Sequence, residues 1–238
     1  MEIDSDQIAL ARRPIPAMQP VGLSEWLRVT GAYAAQMDEK ARLLDSSGKA
    51  VLMREEGSGA AEAEFAEVLI EALSARPDFA LSGGAVTRPD GRRVQLDGLD
   101  GLNLAGCLIQ EDVCLLEKRG AEHVLSAALL AFPASWTLSE KIGRPLTAIH
   151  GPVAPYDGGV AARVQRMFDG LAPGRVLTRA NLLPYADAAL HQPRSENAPR
   201  KDAPGSHRFW RSERQTLRKL PRTGAVVFTI LTSVAPLR

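Results

Sequence analysis

The sequence predicts a single α+β domain in which an antiparallel sheet is flanked by helices, and three observations carry that reading. Leu108 to Glu117 and Val124 to Phe132 are apolar runs of strand length joined by the tight connection Lys118-Arg119-Gly120. Ala225 to Val234 is a third such run, rich in β-branched residues. Upstream, Phe65, Leu69 and Leu73 recur every four residues, the spacing of one helix face. With 238 residues, 45% of them hydrophobic, the chain can bury one substantial core.

Taken in order, residues 1–22 contain Pro14, Pro16 and Pro20 and read as an extended N-terminal arm, leaving 23–238 as the domain. Ser24 caps a helical pattern whose apolar stripe is Trp26, Leu27, Tyr33, Met37 and Leu44, weakened at Gly31. A second helix runs from Ala60 to Ala75 and stops at Pro77. From Phe79 to Leu104 the chain is rich in Gly, Asp and Arg, and Pro89-Asp90-Gly91 is a turn. The hairpin from Leu108 to Phe132 is expected at the centre of the sheet. Ala161 to Phe168 is a short helix ended by Gly170, and Arg175 to Leu183 a short strand with Arg179 and Asn181 on one side. Residues 191–206, with three prolines among polar residues, read as a mobile loop. Trp210 to Leu220 reads as a basic helix or turn before the last strand.

Composition excludes several classes. A net charge of +1 leaves no overall basic footprint for nucleic acid or acidic membranes. The chain opens on acidic residues and has no apolar run of membrane-spanning length, so it reads as soluble and cytoplasmic. Cys107 and Cys114 would face opposite ways on one strand, which argues against a disulfide. Gly-rich phosphate loops, nucleophile elbows and Cys-x-x-Cys motifs are absent.

The chemistry concentrates in residues 130–156. Phe132-Pro133 makes a corner, a capped turn carries Glu140 and Lys141, and an apolar segment read as extended delivers His150 beside Gly151-Pro152. The four histidines, at 123, 150, 191 and 207, lack multi-histidine metal spacing. Haem is the exception, since its iron needs only one protein ligand. If Arg211 to Leu220 is helical, Arg211, Arg214 and Arg218 share a face that could receive two propionates. Gln110-Glu111-Asp112 stands at a buried strand start and is read as an acidic group paired to Lys141 or Arg214.

Several ordered motifs resemble one family. They are the Trp26–Leu44 pattern, Gln110-Glu111-Asp112-Val113-Cys114-Leu115-Leu116, Phe132-Pro133-Ala134-Ser135-Trp136, Glu140-Lys141-Ile142-Gly143 and Ile149-His150-Gly151-Pro152-Val153. Arg179-Ala180-Asn181, Arg211-Ser212-Glu213-Arg214-Gln215-Thr216-Leu217, Leu220-Pro221 and Val227-Phe228-Thr229-Ile230 continue the series. From Gly22 to Leu237 the chain resembles the haem-dependent oxidative N-demethylases. The resemblance implies a PAS-like sheet that binds haem b and uses O2 to oxidise an N-methyl group of a small secondary amine, releasing formaldehyde. It also implies electrons from NADPH through a separate flavin and iron-sulfur reductase component, and a homodimer is compatible with it. On that reading His150 is the iron ligand, and Lys141, Arg144, Arg179, Arg211 and Arg214 are the cofactor-binding cations. Glu213, with Glu111 behind it, is the carboxylate for a cationic amine. The alternative is a PAS-like haem sensor or binding protein without turnover. Leu182 stands where the family pattern has Trp after Arg-x-Asn.

Overall fold

The computed structural model describes residues 3–13, 18–150, 158–198 and 200–237, with only the backbone of His150 and Gly158. The N-terminal segment, expected to be extended, forms helix α1 (Ser5–Ala11) and then strand β1 (Gln19–Val21). Leu10 and Gln7 of α1 are buried, and that is why the segment coils: a helix presents both to the domain from one side. Helix α2 (Tyr33–Val51) starts later than the capping pattern suggested, because Leu23–Glu25 is a separate single turn. Strand β2 (Leu52–Arg54) follows directly, and helix α3 (Gly59–Ser74) lies where its four-residue period placed it.

The Gly-rich stretch folds into a small antiparallel sheet of β3 (Ala80–Ser82), β4 (Ala85–Thr87) and β5 (Arg93–Gln95). Next comes helix α4 (Gly101–Leu108), capped by Asp100, whose side chain accepts the Asn103 N–H at 2.9 Å. Gly101 lets α4 close on α3, since a Cβ there would stand 2.4 Å from the Glu62 carbonyl oxygen. Cys107 therefore belongs to a helix and Cys114 to a strand, and both are free thiols.

Strands β6 (Asp112–Arg119) and β7 (Glu122–Leu129) form the expected hairpin, turned at Gly120 with φ 62. After the Phe132 corner, Leu146–His150 is a short helix, α5, rather than the extended segment expected. Pro145 precedes it, with a ring that presets helical φ, and its carbonyl accepts the Ile149 N–H. Helix α6 (Gly158–Gly170) and strand β8 (Val176–Tyr185) then lead to the largest correction. Phe209–Lys219, read as a basic helix or turn, is strand β9, paired along its length with both β8 and β10 (Val226–Pro236).

Among the described residues the main sheet has seven strands in the order β1-β8-β9-β10-β6-β7-β2, so β10 is central and the β6–β7 hairpin lies to one side. The continuous apolar run of β10 suits a strand covered on both faces. One face packs on α2, α3 and α4 through Val113, Leu115, Ala127, Leu129 and Val227, with Trp26 and Phe65 edge-to-face at 6.5 Å. The other carries Cys114, Leu116, Leu125, Ala128, Leu217, Val226 and Ile230 against Leu138, Leu146, Phe168 and Leu171. The 191–206 loop, expected to be mobile, is tied down at its start. Gln192 pairs with Ala134, Thr137 donates to the Arg194 carbonyl at 2.9 Å, and Ser195 donates to Glu140 at 2.7 Å.

Candidate functional site

Being a strand, β9 sends alternate residues to opposite faces. Arg211, Glu213, Gln215 and Leu217 go to the face beneath α5 and α6, while Ser212, Arg214, Thr216 and Arg218 go to the helical layer of α2 and α3. The register orders the first face into rows. Leu177, Leu217, Phe228, Cys114 and Ala128 form an apolar row. Next to it come Arg179, Gln215 and Ile230, and then Asn181, Glu213 and Thr232. A polar row thus borders a broad apolar floor, where Leu177 and Phe228 are only partly buried and Trp136, Ile149, Val164 and Met167 pack beside them.

Glu213 is 6% exposed and is held from three directions. Its backbone N–H donates to Asn181 Oδ1 at 2.8 Å, while Asn181 Nδ2 and Gln215 Nε2 donate to its Oε2 at 3.0 and 3.1 Å. Both amides thus converge on one carboxylate oxygen, and Oε1 receives no donor among the described residues. Thr232, directly opposite Glu213 on β10 and 1% exposed, has a buried Oγ1 with no hydrogen-bond partner among the described residues. Arg179 is half-buried and makes no ion pair or hydrogen bond among the described residues. Burial pushes its guanidinium below the ordinary value, and the charge of Glu213 opposes that. The Cys114 thiol is pushed far up by burial, then by the charges of Asp112 and Glu213, so it stays neutral.

The other expected site residues are spread apart. Arg214 lies on the opposite face of β9, donating to the carbonyls of Glu25 and Trp26 at 2.6 and 3.2 Å. Glu111 is on that same side: its Oε1 accepts the Arg28 N–H at 2.8 Å, and burial raises its carboxyl. It does not stand behind Glu213. Arg211 shares the Glu213 face, but its guanidinium donates to the carbonyls of Phe132, Leu190 and Ala189 at 2.7, 2.9 and 3.3 Å. The expected single face of Arg211, Arg214 and Arg218 therefore does not form. Lys141 donates to the Ile149 carbonyl at 2.8 Å and pairs with Glu196, and Arg144 stands 3.5 Å from the same carboxylate.

The partner of the acidic triad is neither Lys141 nor Arg214 but Lys40. Its fully buried ammonium donates to the carbonyls of Ile109, Gln110 and Glu111 at 3.1, 2.9 and 2.8 Å and lies 3.6 Å from Asp112. Asp112 also accepts the N–H groups of Ala131 and Phe132 at 3.0 and 2.7 Å. Lysine at 40 falls on the apolar stripe of Tyr33, Met37 and Leu44, and that pattern break was the readable signal. Thr232 had a weaker one, a hydroxyl inside a β-branched apolar run.

His150 ends α5, but its side chain and Gly151–Asp157 lie outside the described residues. His123 sits under α6, its ring 5.1 Å from Phe168 and its Nδ1 2.7 Å from Gln165 Nε2, with burial lowering its pKa. His191 Nδ1 meets the Ala131 carbonyl at 2.7 Å, and His207 Nε2 meets Asp202 at 3.1 Å. Among the described residues no group of three or more His, Cys, Asp or Glu could hold a metal ion. A cleft of about 490 Å³ between α3 and α4 is lined by Arg54, Glu62 and Asp100, whose charges pair with one another, and it is remote from the Glu213 row.

A single protein ligand suffices for haem iron, and the sequence comparison decides for that class. The family model of haem-dependent oxidative N-demethylase, alpha subunit-like, matches residues 17–238. The chain belongs to that family. No protein of curated function matches it. For a haem-dependent oxidative N-demethylase relative, the donor set beneath α5 and α6 fits the cofactor. Partly buried Leu177, Phe228, Trp136 and Met167 offer an apolar surface to a macrocycle, and Arg179 is a half-buried guanidinium with no ion pair among the described residues, the chemistry a carboxylate needs. No described helix is long and apolar enough to cross a membrane.

Proposed function

We propose that this chain is the haem-binding, amine-oxidising subunit of an oxidative N-demethylase acting on a small secondary amine. The observation that supports it is the row Asn181–Glu213–Thr232: a buried carboxylate oriented by two amides, with one oxygen unpartnered, beside an apolar floor. An alkylammonium ion is cationic at neutral pH, and a buried anion both attracts and orients it. The overall change is removal of one N-methyl group. R–NH–CH3, O2, two electrons and two protons give R–NH2, formaldehyde and water. Bound haem b supplies the oxygen activation, and NADPH supplies the electrons through a separate flavin and iron-sulfur reductase.

The residues of this chain do the rest. His150 is the proposed iron ligand and Arg179 the proposed propionate partner. Asn181 and Gln215 fix the rotamer of Glu213, so its free oxygen holds the amine in one orientation over the floor. Leu177, Leu217 and Phe228 exclude water from beneath the reacting methyl group. Lys141 acts at one remove, donating to the Ile149 carbonyl of α5 just before His150.

The purified protein, given haem, a chemical or enzymatic reductant, O2 and dimethylamine, should release formaldehyde in step with amine consumed. A stable spectrum with oxygen and no formaldehyde would make it a sensor instead. His150→Ala should lower haem affinity and shift or abolish the Soret band while the far-ultraviolet circular dichroism stays as in the parent. A His150→Ala protein with the parent's spectrum and haem occupancy would move the ligand to another residue, His123 being the next to replace.

A further inference from the structure

We infer that Thr232 is a specificity-determining residue, whose hydroxyl forms with Glu213 Oε1 a two-acceptor site that selects secondary ammonium ions, with two N–H bonds, over tertiary ones. The inference rests on the reading of Glu213 as the carboxylate for the amine. Directly opposed residues on antiparallel strands carry their side chains on one face, with Cβ atoms about 5 Å apart. Glu213 and Thr232 are such a pair. Both are buried, at 6% and 1% exposure; among the described residues Thr232 Oγ1 has no partner, and the hydrogen bonds to the Glu213 carboxylate both reach Oε2. A hydroxyl left unpaired in an interior is costly, and Thr216, Thr229 and Ser212 nearby avoid that cost. Thr216 and Thr229 bond to each other on the opposite face, and Ser212 donates to the Asn181 carbonyl at 2.6 Å.

The amides of Asn181 and Gln215 both donate to Glu213 Oε2, so Oε1 keeps its acceptor capacity among the described residues. A dialkylammonium nitrogen between the two oxygens gives one N–H to each. A trialkylammonium nitrogen has one N–H, so a methyl group must face either Glu213 or Thr232, leaving a buried oxygen unsatisfied. Sites built to pair a polar group reject analogues that lack it, by more than apolar pockets reject a methyl.

Calorimetric titration of the purified protein with dimethylammonium and trimethylammonium chlorides tests this without turnover. The wild type should bind dimethylammonium at least about tenfold more tightly, the worth of one hydrogen bond to a charged group. Thr232→Val, which keeps the shape and removes the hydroxyl, should bring the two affinities to within about twofold. Thr232→Ser, which restores the oxygen, should recover the ratio, and it remains informative should the valine variant fold poorly. An unchanged ratio in Thr232→Val, or a ratio lost in Thr232→Ser, overturns the role of Thr232 and leaves the demethylase reading intact. Wild-type protein that binds neither ion overturns both. Selective binding without formaldehyde release on reduction overturns the demethylase reading alone.

Discussion

Two buried acidic groups belong to the same sheet, one at the start of β6 and one in the β8–β9–β10 row, and they are built differently. At the start of β6 the Lys40–Asp112 pair is saturated: Lys40 meets three carbonyls and a carboxylate, and Asp112 takes two backbone N–H groups. In the β8–β9–β10 row, Glu213 receives two amides on one oxygen and, among the described residues, no donor on the other, and Thr232 beside it has no partner among them. A closed network holds chain segments together. An open one keeps hydrogen-bonding capacity for something absent from the chain itself. The difference marks Asp112 as part of the architecture and supports the proposed role of Glu213 in binding, though both are buried carboxylates.

The comparison breaks most easily at Lys40. Lys40→Met should cost about 3–5 kcal/mol in urea denaturation, because it strands a buried carboxylate and three carbonyls. A loss under about 1 kcal/mol would mean that the β6 group is as open as the β9 row. A smaller effect sharpens the contrast at Glu111, whose Oε1 is bonded and whose Oε2 has no partner. Burial raises its carboxyl above the ordinary 4.5, so the linked stability is present at low pH and fades as pH rises through the folded value. At neutral pH the buried charge is a cost. Glu111→Gln should therefore be stabilised relative to the parent, by on the order of 1 kcal/mol, at pH 7 and lose that advantage at pH 4, as read by thermal unfolding. An advantage that grows toward low pH would contradict the account.

Periodicity made α3, the β6–β7 hairpin and the last strand readable, because their apolar residues follow the spacing of the element they form. The strand β9 was opaque for a physical reason. Its arginines bury aliphatic stems and spend their guanidinium groups on carbonyls, Arg211 on Phe132 and Arg214 on Glu25, so core positions look like a basic surface. On a helix Arg211 and Arg214 would share a face and Glu213 would have no link to Thr232, which only strand register supplies. Glu213 and Arg179 could be picked out as chemistry because ionisable residues stand out in a motif. Thr232 could not, since a threonine in a β-branched run is ordinary until its hydroxyl is found without a partner. The placement of β10 at the centre also lay beyond local pattern, because strand order is set by long-range pairing.

We propose that the amine is received by the Asn181–Glu213–Thr232 row and not by the acidic group at the start of β6. Dimethylammonium titrated into the haem-loaded protein should shift the Soret band in the wild type and, with the same midpoint, in Glu111→Gln. In Glu213→Gln the shift should vanish, or its midpoint should rise at least about tenfold, as expected for loss of one charged hydrogen bond. A Glu213→Gln protein that shows the parent's shift at the parent's midpoint, or a Glu111→Gln protein that loses it, would contradict the claim.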